Sequence, residues 1–206
     1  MTKKVLILDY DMGNVLSVKR AVEYHGASVE ISNDLSKICN ADRIIIPGVG
    51  NFSRGIKNIK KFKSEILTFF QKERPLMGIC LGMQLMYENS EEDNLNDKGL
   101  CIFNGNVLKF KDKSQNLIVP HIGWTNLQIE NCSDKIFKQI TKESKFYFIH
   151  SYYCNDMDIN TNKIFSFYSG IKFTAASYKN NIFLFQFHPE KSSKDGIQIY
   201  KNFLEI

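Results

Sequence analysis

The heptapeptide Gly-Ile-Cys-Leu-Gly-Met-Gln at residues 78–84 constrains the fold most, because it places a cysteine between an apolar strand and a helix. Residues 75–79 predict the strand, and residues 81–87 predict the helix. A turn of this kind lifts its central side chain out of a sheet, and flanking glycines let strand and helix approach closely. Backbone N–H groups and the dipole at a helix N-terminus favour a thiolate. The pattern therefore predicts that Cys80 is an activated nucleophile.

A second motif, His188-Pro189-Glu190, follows the apolar run 182–187. Pro189 disfavours helical geometry at His188, and residues two apart in an extended segment project to the same side. Glu190 is then expected to accept one imidazole N–H, while the other ring nitrogen exchanges a proton with Cys80. A cysteine that occurs alone in an apolar strand is usually a small core residue, and an isolated His-Pro-Glu is usually the end of a strand. The joint occurrence of the two motifs favours a catalytic triad instead.

A third segment supports the same site. Residues 43–46, with the sequence Arg-Ile-Ile-Ile, predict a buried strand, which ends in Pro47-Gly48-Val49-Gly50. Acyl transfer needs donors for the oxygen that becomes negative, and the backbone N–H groups of Val49, Gly50 and Leu81 are the candidates for this oxyanion hole. Taken alone, the segment would be an ordinary strand-to-helix loop.

Together these motifs resemble those of the class I (triad) glutamine amidotransferases, and the resemblance covers essentially the whole chain. Two further segments, Pro-His-Ile-Gly-Trp at 120–124 and His-Ser-Tyr-Tyr at 150–153, resemble the glutaminase (HisH) subunits of imidazole glycerol phosphate synthase. The resemblance implies an enzyme that releases ammonia from L-glutamine. It also implies a three-layer α/β fold, with a mixed central sheet, helices on both faces and antiparallel β additions, and one type-1 domain over residues 1–206.

The same resemblance assigns substrate positioning to Gln84, Glu92 and the backbone of Gly50, Ser151 and Tyr152. Gln84 has independent support, because residue i+4 on the helix that follows Cys80 shares its face. Glu92 has none, and the alternative is a solvated acid in an acidic run. No cofactor or metal is expected: His121, His150 and Cys154 are too scattered for a ligand cluster.

The resemblance further implies a heterodimer with a cyclase subunit of the HisF type, a (β/α)8 barrel that consumes the ammonia. Asn14, Trp124 and Lys191 match positions at that interface, although Trp124 could equally be a core aromatic. Leu16, Ile122 and Thr125 depart from the family pattern on the presumed partner face. A paralogue that supplies ammonia to a surface-glycan sugar therefore stays open, as does a stand-alone γ-glutamyl thiol hydrolase.

Composition favours a cytoplasmic globular protein. The 206 residues are 43% hydrophobic, which suffices for one core, and no run is long enough for a membrane span or a signal peptide. The five cysteines form no Cys-x-x-Cys pair, which fits a reducing compartment. The net charge of +5 owes much to lysines at 57–63, but apolar residues at helical spacing alternate with them. A solvated helix face is expected there, not a nucleic-acid site.

The order of elements predicts the sheet. Strands at 5–9, 28–31 and 43–46 alternate with helices at 15–24 and in the segment that runs to Lys72, which indicates a parallel sheet covered on both faces. Later β-rich runs indicate antiparallel additions and lie at 106–110, 145–149, 164–168, 173–177 and 181–187. A hairpin turn is expected at Lys179-Asn180. A helix over 194–204, capped by Ser192 or Ser193, closes the chain.

Overall fold

The structure, a computed structural model, describes residues 3–92, 97–111, 117–129 and 134–206. In its first half, strands and helices alternate as the sequence predicts. The elements in order are β1 (Lys4–Leu8), α1 (Val15–Glu23), β2 (Ser28–Ser32), α2 (Leu35–Asn40), β3 (Arg43–Ile46), α3 (Phe52–Ile59), a 3₁₀ turn (Lys60–Phe62), α4 (Lys63–Gln71), β4 (Leu76–Ile79) and α5 (Leu81–Gln84).

The second half is dominated by strands. They are β5 (Asn89–Ser90), β6 (Gly105–Lys109), β7 (His121–Asn126), β8 (Lys145–His150), β9 (Tyr152–Asp156), β10 (Asn162–Tyr168), β11 (Ile171–Lys179) and β12 (Ile182–Phe185). Two 3₁₀ turns (Lys135–Phe137 and Pro189–Lys191) and helix α6 (Ser193–Glu205) complete this half.

One large mixed sheet organises the molecule. Strands β2, β1, β3, β4 and β12 run parallel in that order, and β12 is followed by β11, β9, β6 and β5, while β10 pairs with β11. The pairings β12–β11, β11–β9, β9–β6 and β10–β11 are antiparallel. Strands β7 and β8 form a separate antiparallel pair. The predicted fold class is confirmed, and the parallel strands bring their carboxyl ends to one edge.

The core lies on both faces of this sheet. Side chains of β1 alternate between two hydrophobic clusters, with Val5 and Ile7 in one and Leu6 and Leu8 in the other. Helices α1 and α6 cover the first cluster, whereas α2, α3 and α4 cover the second. A strand buried on both faces has a continuous apolar run, which is the pattern at residues 5–8 and 44–46.

The helix after Cys80 is shorter than predicted. It ends at Gln84 instead of Tyr87. The carbonyl oxygens of Leu85 and Met86 accept hydrogen bonds from the backbone of Leu100 and Ile102, so the returning chain replaces the next helical turn. Helix α5 is therefore a single turn that serves to place Cys80.

Other differences are local. Helix α2 and strands β7 and β9 were not predicted. The hairpin turn falls at Asn180-Asn181, one residue later than predicted, with Asn180 at φ +52°. Ser192 occupies the cap position of α6, but its hydroxyl donates to the His188 carbonyl oxygen and accepts the Tyr147 N–H, so it makes no cap hydrogen bond.

Two further expectations concern surfaces. Lys57, Lys60 and Lys61 are exposed while Ile56 and Phe62 are buried, so these lysines occupy a solvated helix face as predicted. In the described ranges no helix has the length and apolar character needed to span a membrane. Of the five cysteines, Cys132 lies outside the described residues.

Candidate active site

Cys80 occupies a strained turn between β4 and α5. Its backbone has φ +52° and ψ −109°, a conformation that side-chain-bearing residues rarely adopt. The Cys80 N–H donates to the Phe185 carbonyl oxygen at 2.7 Å, and the Cys80 carbonyl oxygen accepts the Gln84 N–H at 3.1 Å. Hydrogen bonds on both sides thus hold the strained residue in place.

The flanking glycines make this turn possible by close approach. A Cβ on Gly82 would overlap the carbonyl oxygen of Ile46 in β3, and a Cβ on Gly78 would lie 2.8 Å from Leu184 Cδ2 in β12. The Ile46 carbonyl belongs to the backbone of a packed strand and has no room to move aside, and a Cβ on Gly78 would also lie 3.0 Å from the Gly82 carbonyl oxygen. The glycines therefore let the Cys80 turn sit directly on the central strands.

The register of the sheet places His188 near Cys80. Strand β12 pairs with β4 in parallel, with Phe185 opposite Ile79, so the segments that follow the two strands emerge side by side. The His188 backbone is extended, as Pro189 predicts. Its Nδ1 lies 2.7 Å from Glu190 Oε1, and the two side chains are only 2% and 3% exposed.

The charges around His188 favour its imidazolium form. Burial lowers the pKa of His188, but the charges of Cys80 and Glu190 and the hydrogen bond to Glu190 outweigh it and raise the pKa to about 10. Nε2 is buried and makes no hydrogen bond of ordinary geometry among the described residues. That nitrogen is therefore available to the Cys80 side of the pocket, while Glu190 holds Nδ1.

One pocket of about 400 Å³ brings together most of the residues singled out from the sequence. It is lined by Val49, Gly50, Cys80, Leu81, Gln84, Glu92, Pro120, Ile149, His150, Ser151, Tyr152, His188 and Lys191. Of the predicted triad, oxyanion and substrate residues, Glu190 alone is absent from this lining, because it stands behind His188. The pocket opens at the carboxyl edge of the parallel strands, where α/β enzymes bind ligands.

The loop after β3 lies against the Cys80 turn. Gly50 has φ +109°, and a Cβ on Gly48 would come within 2.6 Å of the Gly82 nitrogen. The buried Tyr10 hydroxyl donates to the Pro47 carbonyl oxygen at 2.6 Å and fixes the start of the loop. The loop thus holds Val49 and Gly50 at the pocket together with Leu81, the three residues predicted for the oxyanion hole.

The predicted substrate residues occupy the walls. Gln84 is 5% exposed, and its Nε2 donates to the Tyr152 carbonyl oxygen at 3.0 Å. Glu92 is half-buried, and its Oε2 accepts the Phe52 N–H at 2.7 Å at the start of α3. Glu92 is therefore part of the pocket wall and not a solvated acid, and its carboxylate suits a substrate ammonium group.

Trp124 lies on the surface and not in the core. Its side chain is 49% exposed and meets Tyr147 edge to face, with ring centroids 5.9 Å apart. The Lys191 ammonium lies 5.9 Å from the centroid of the same tyrosine ring. The core alternative for Trp124 is therefore wrong. Asn14, the third predicted interface residue, is exposed and caps α1 by accepting the Ser17 N–H.

Exposed apolar side chains surround this pocket mouth. Val49 and Ile149, which line the pocket, are 43% and 38% exposed, and Ile122 opposite Ile149 in the β7–β8 pair is 56% exposed. Leu16, in the first turn of α1 after β1, is 59% exposed. Exposed apolar side chains grouped in this way are typical of interaction sites.

Sequence reasoning missed three polar residues beside the pocket. Gln186 is fully buried with its Nε2 3.8 Å from Cys80 Sγ, and the buried His121 and His150 are joined through Nδ1 and Nε2 at 3.1 Å. The signal was present, since His121 and His150 lie in the quoted motifs and Gln186 in the run just before His188, but a pattern does not show side-chain pairing. Within the described residues no group of three or more His, Cys, Asp or Glu side chains could hold a metal ion.

Comparison with known proteins agrees with this geometry. The family model "Glutamine amidotransferase class-I" matches residues 6–206. PurLQS from Thermotoga maritima superposes with a TM-score of 0.75 at 20% identity, covering 100% of this chain and 99% of that chain. The glutaminase domain of Trypanosoma brucei CTPS gives 0.69 at 19% identity, covering 98% and 92%. At these identities the superpositions establish the fold alone.

Full-length relatives are closer in sequence. The imidazole glycerol phosphate synthase subunit HisH of Methanocaldococcus jannaschii is 42% identical over 97% of this chain and 98% of the relative. The HisH subunit of Chlorobaculum tepidum is 40% identical over 98% of this chain and its own full length. The chain belongs to the class-I glutamine amidotransferases and, within them, to the family of imidazole glycerol phosphate synthase HisH subunits.

Proposed function

We propose that this chain is the glutaminase subunit of imidazole glycerol phosphate synthase, which hydrolyses L-glutamine to glutamate and ammonia for histidine biosynthesis. The observation that carries the proposal is the strained Cys80 turn beside the buried His188–Glu190 pair in one pocket. Membership of the HisH family, at about 40% identity over nearly the full chain, supports the choice of acceptor. Residues 1–206 act as one domain in this proposal, and the cytoplasm is the proposed compartment.

The first half of the reaction forms a thioester. The Cys80 thiolate attacks the side-chain carboxamide carbon of glutamine, and the carbonyl oxygen takes up the negative charge. Backbone N–H groups of Val49, Gly50 and Leu81 stabilise that oxygen. The His188 imidazolium gives its Nε2 proton to the departing nitrogen, the C–N bond breaks, and ammonia leaves a γ-glutamyl group on Cys80.

The second half releases glutamate. His188, now neutral, accepts a proton from water at Nε2 while the water oxygen attacks the thioester carbon. The tetrahedral intermediate expels the Cys80 thiolate and leaves His188 protonated again. Glu190 keeps the ring in the required tautomer and orientation and stabilises the imidazolium in both steps.

Binding of glutamine uses the pocket walls. Glu92 pairs with the α-ammonium group, and Gln84 with the backbone of Gly50, Ser151 and Tyr152 positions the rest of the amino acid. These residues orient the carboxamide over Cys80, which converts a bimolecular attack into an effectively unimolecular one. No cofactor takes part in these steps.

The ammonia needs a sheltered path, because water at neutral pH converts most of it to the non-nucleophilic ammonium ion. The partner is the cyclase subunit of the same synthase, and we assign it a (β/α)8-barrel fold. It docks over the exposed apolar side chains at the pocket mouth, where Trp124, Lys191 and Asn14 contact it. No nucleic acid or membrane takes part.

Glutamate release tests this proposal. It is measured for this protein alone, with its own organism's cyclase subunit, and with that subunit plus its ribotide ligand. Strong activation that requires both additions is the expected result. Equal turnover with and without the cyclase would instead identify a stand-alone γ-glutamyl thiol hydrolase. The relatives do not favour a paralogue for surface-glycan sugars.

A further inference from the structure

The carbonyl oxygen of Tyr152 is the centre of a buried hydrogen-bond network. It accepts the Gln84 side-chain N–H at 3.0 Å and the His150 Nδ1–H at 2.8 Å. A carbonyl oxygen can only accept, so both neighbours must donate to it. The hydrogen positions along the network therefore follow from this one atom.

One arm leads from Tyr152 to the nucleophile. Gln84 presents its NH₂ group to the carbonyl, and the same nitrogen lies 3.2 Å from Gln186 Oε1. Gln186 is fully buried, and its Oε1 points at Gln84, so its NH₂ group must face Cys80 Sγ at 3.8 Å. The Tyr152 carbonyl thereby orients both amides, and the network ends in an N–H group directed at sulfur.

The other arm leads from Tyr152 to the surface. Burial lowers the pKa of His150 to about 3 and that of His121 to about 4, so both rings are neutral near pH 7. His150 donates through Nδ1, so its Nε2 accepts the Nδ1–H of His121 at 3.1 Å. The Nε2 of His121 in turn accepts the hydroxyl proton of Thr125 at 3.1 Å. Thr125 is half-buried on β7, next to Trp124.

We propose that Gln186 is a further residue of the active site, which holds Cys80 Sγ by an N–H hydrogen bond, and that Thr125, His121 and His150 are positioning residues. They fix the Tyr152 carbonyl and hence the direction of the Gln84 and Gln186 amides. The network joins the surface beside Trp124 to the nucleophile. This role rests on the proposed function, because the network would stabilise the Cys80 thiolate that attacks glutamine.

Gln84 and Gln186 have different roles in this arrangement. Gln84 lines the pocket, whereas Gln186 is fully buried and directs its Nε2 at Cys80 Sγ. An N–H directed at sulfur stabilises the thiolate more than the thiol, because hydrogen bonds to a charged acceptor are stronger. Loss of the Gln186 amide should therefore slow reactions of the Cys80 thiol near neutral pH before any substrate binds.

Alkylation of Cys80 by iodoacetamide tests the inner arm. Its rate is followed against pH in the full chain by mass spectrometry of the Cys80 peptide, for wild type and Gln186→Leu. The half-maximal pH should rise by about half a unit to one unit in the variant, as expected for a lost hydrogen bond to a charged group. The exposed Gln71→Leu should not shift it. An unchanged profile in folded Gln186→Leu would overturn the role of Gln186.

The alkylation measurement needs neither glutamine nor the cyclase, so its failure is distinguishable from failure of the proposed function.

Histidine tautomers give a second test that needs no substitution in the core. The chain has four histidines, which makes assignment of their ring nitrogens by NMR tractable. Protonated Nδ1 and unprotonated Nε2 in both His121 and His150 are expected at pH 7. A protonated Nε2 on His150 would contradict the network.

Substitution of Thr125 tests the outer arm. Thr125→Val removes the hydroxyl with little change in shape, and Thr125→Ser retains it. In the complex with the cyclase, kcat/KM for glutamine should fall about threefold to tenfold in Thr125→Val, the effect of one hydrogen bond, and return in Thr125→Ser. The Kd for the cyclase should stay unchanged in both. A weaker Kd with unchanged kcat/KM would show that Thr125 acts only as an interface contact.

Discussion

Cys80 and His188 stand at the ends of two neighbouring parallel strands, with Ile79 opposite Phe185 in the residue pair just before the two segments diverge. More than half of the chain separates them in sequence. Parallel pairing therefore brings the nucleophile and its base together by the register of β4 and β12. The remaining triad member, Glu190, is supplied by the short segment that carries His188.

Replacement of Glu190 by Gln should impair catalysis while leaving the fold intact. The Gln amide is uncharged and stabilises the His188 imidazolium less, and its NH₂ group can force the wrong tautomer. We expect kcat for glutamate release to fall by about 10²-fold or more, with a far smaller change in KM. The exposed Glu143→Gln serves as the matched control. Unchanged kcat in Glu190→Gln would remove Glu190 from the mechanism.

Replacement of Gly82 by Ala should destabilise the protein strongly. The added Cβ would overlap the Ile46 carbonyl oxygen, and neither α5 nor β3 can move away without loss of packing. We expect the free energy of unfolding to fall by about 3 kcal/mol or more, as for other severe core clashes.

Gly26→Ala provides the comparison for that measurement. Gly26 has φ +77°, but a Cβ there meets no atom within 4 Å, so only backbone strain of about 1 kcal/mol is expected. Urea unfolding of both variants measures the difference. Equal losses of stability in Gly82→Ala and Gly26→Ala would show that Gly82 is not required by close packing around the Cys80 turn.

Much of this architecture was predictable because its signals are local. Strand β3 has the predicted bounds, since its three consecutive isoleucines, followed by Pro-Gly, define both its burial and its end. The motifs at Cys80 and His188 likewise placed both residues at strand ends. Helix α2 was missed because its six residues expose all but Ile38 to some degree, which leaves no clear apolar face.

The rest could not be predicted because it depends on pairing between distant segments. His121 meets His150 only because these two residues lie opposite each other in the register of β7 and β8. The sequence predicts Gln186 only as one residue of an apolar strand, since nothing in its neighbours indicates that it points to Cys80. Trp124 was undecided between core and surface until the free outer face of β7 became visible.

Replacement of Trp124 by Ala should weaken binding of the cyclase subunit. The ring is half exposed on the same surface as the pocket mouth, and large aromatic anchors dominate many interfaces. We expect the Kd to rise about tenfold to thirtyfold, which corresponds to a loss of about 1.4 to 2 kcal/mol of binding free energy. Titration calorimetry or fluorescence anisotropy with labelled cyclase measures it.

The matched control for the docking surface is Tyr24→Ala. Tyr24 is 77% exposed and follows the C-terminal end of α1, whereas Asn14 and Leu16 lie at the N-terminal end of that helix. The Kd of the Tyr24→Ala variant for the cyclase should equal that of the wild type. Equal weakening by both substitutions would indicate a general loss of folding, and no weakening by Trp124→Ala would place the partner on another face.

Stability should fall as the pH drops below about 6.5, because of the buried histidine pair. Their pKa values in the folded protein, about 4 for His121 and about 3 for His150, lie below the ordinary 6.5, so the unfolded chain takes up the protons first. Uptake of a proton by each histidine then lowers the free energy of unfolding by up to about 1.4 kcal/mol for each unit by which the pH falls. The loss continues until the pH reaches the folded-state values.

The interval between pH 6.5 and pH 5 isolates this effect from the carboxyl groups, whose pKa values are lower. His188 adds nothing there: its pKa is raised to about 10, so its contribution is fully present below pH 6.5 and is lost only as pH rises towards 10. Urea unfolding at several pH values should give a slope that becomes shallower in His150→Phe. A flat wild-type profile would show that the pair is not buried and neutral.

The central claim is that Cys80 carries the γ-glutamyl group, and trapping that intermediate tests it most directly. The complex with the cyclase and its ribotide is mixed with glutamine, quenched in acid and digested, and the Cys80 peptide is examined by mass spectrometry. One γ-glutamyl adduct on Cys80 is expected in the wild type, with neither adduct nor glutamate release in Cys80→Ala. Glutamate release by Cys80→Ala, or an adduct on another cysteine, would contradict it.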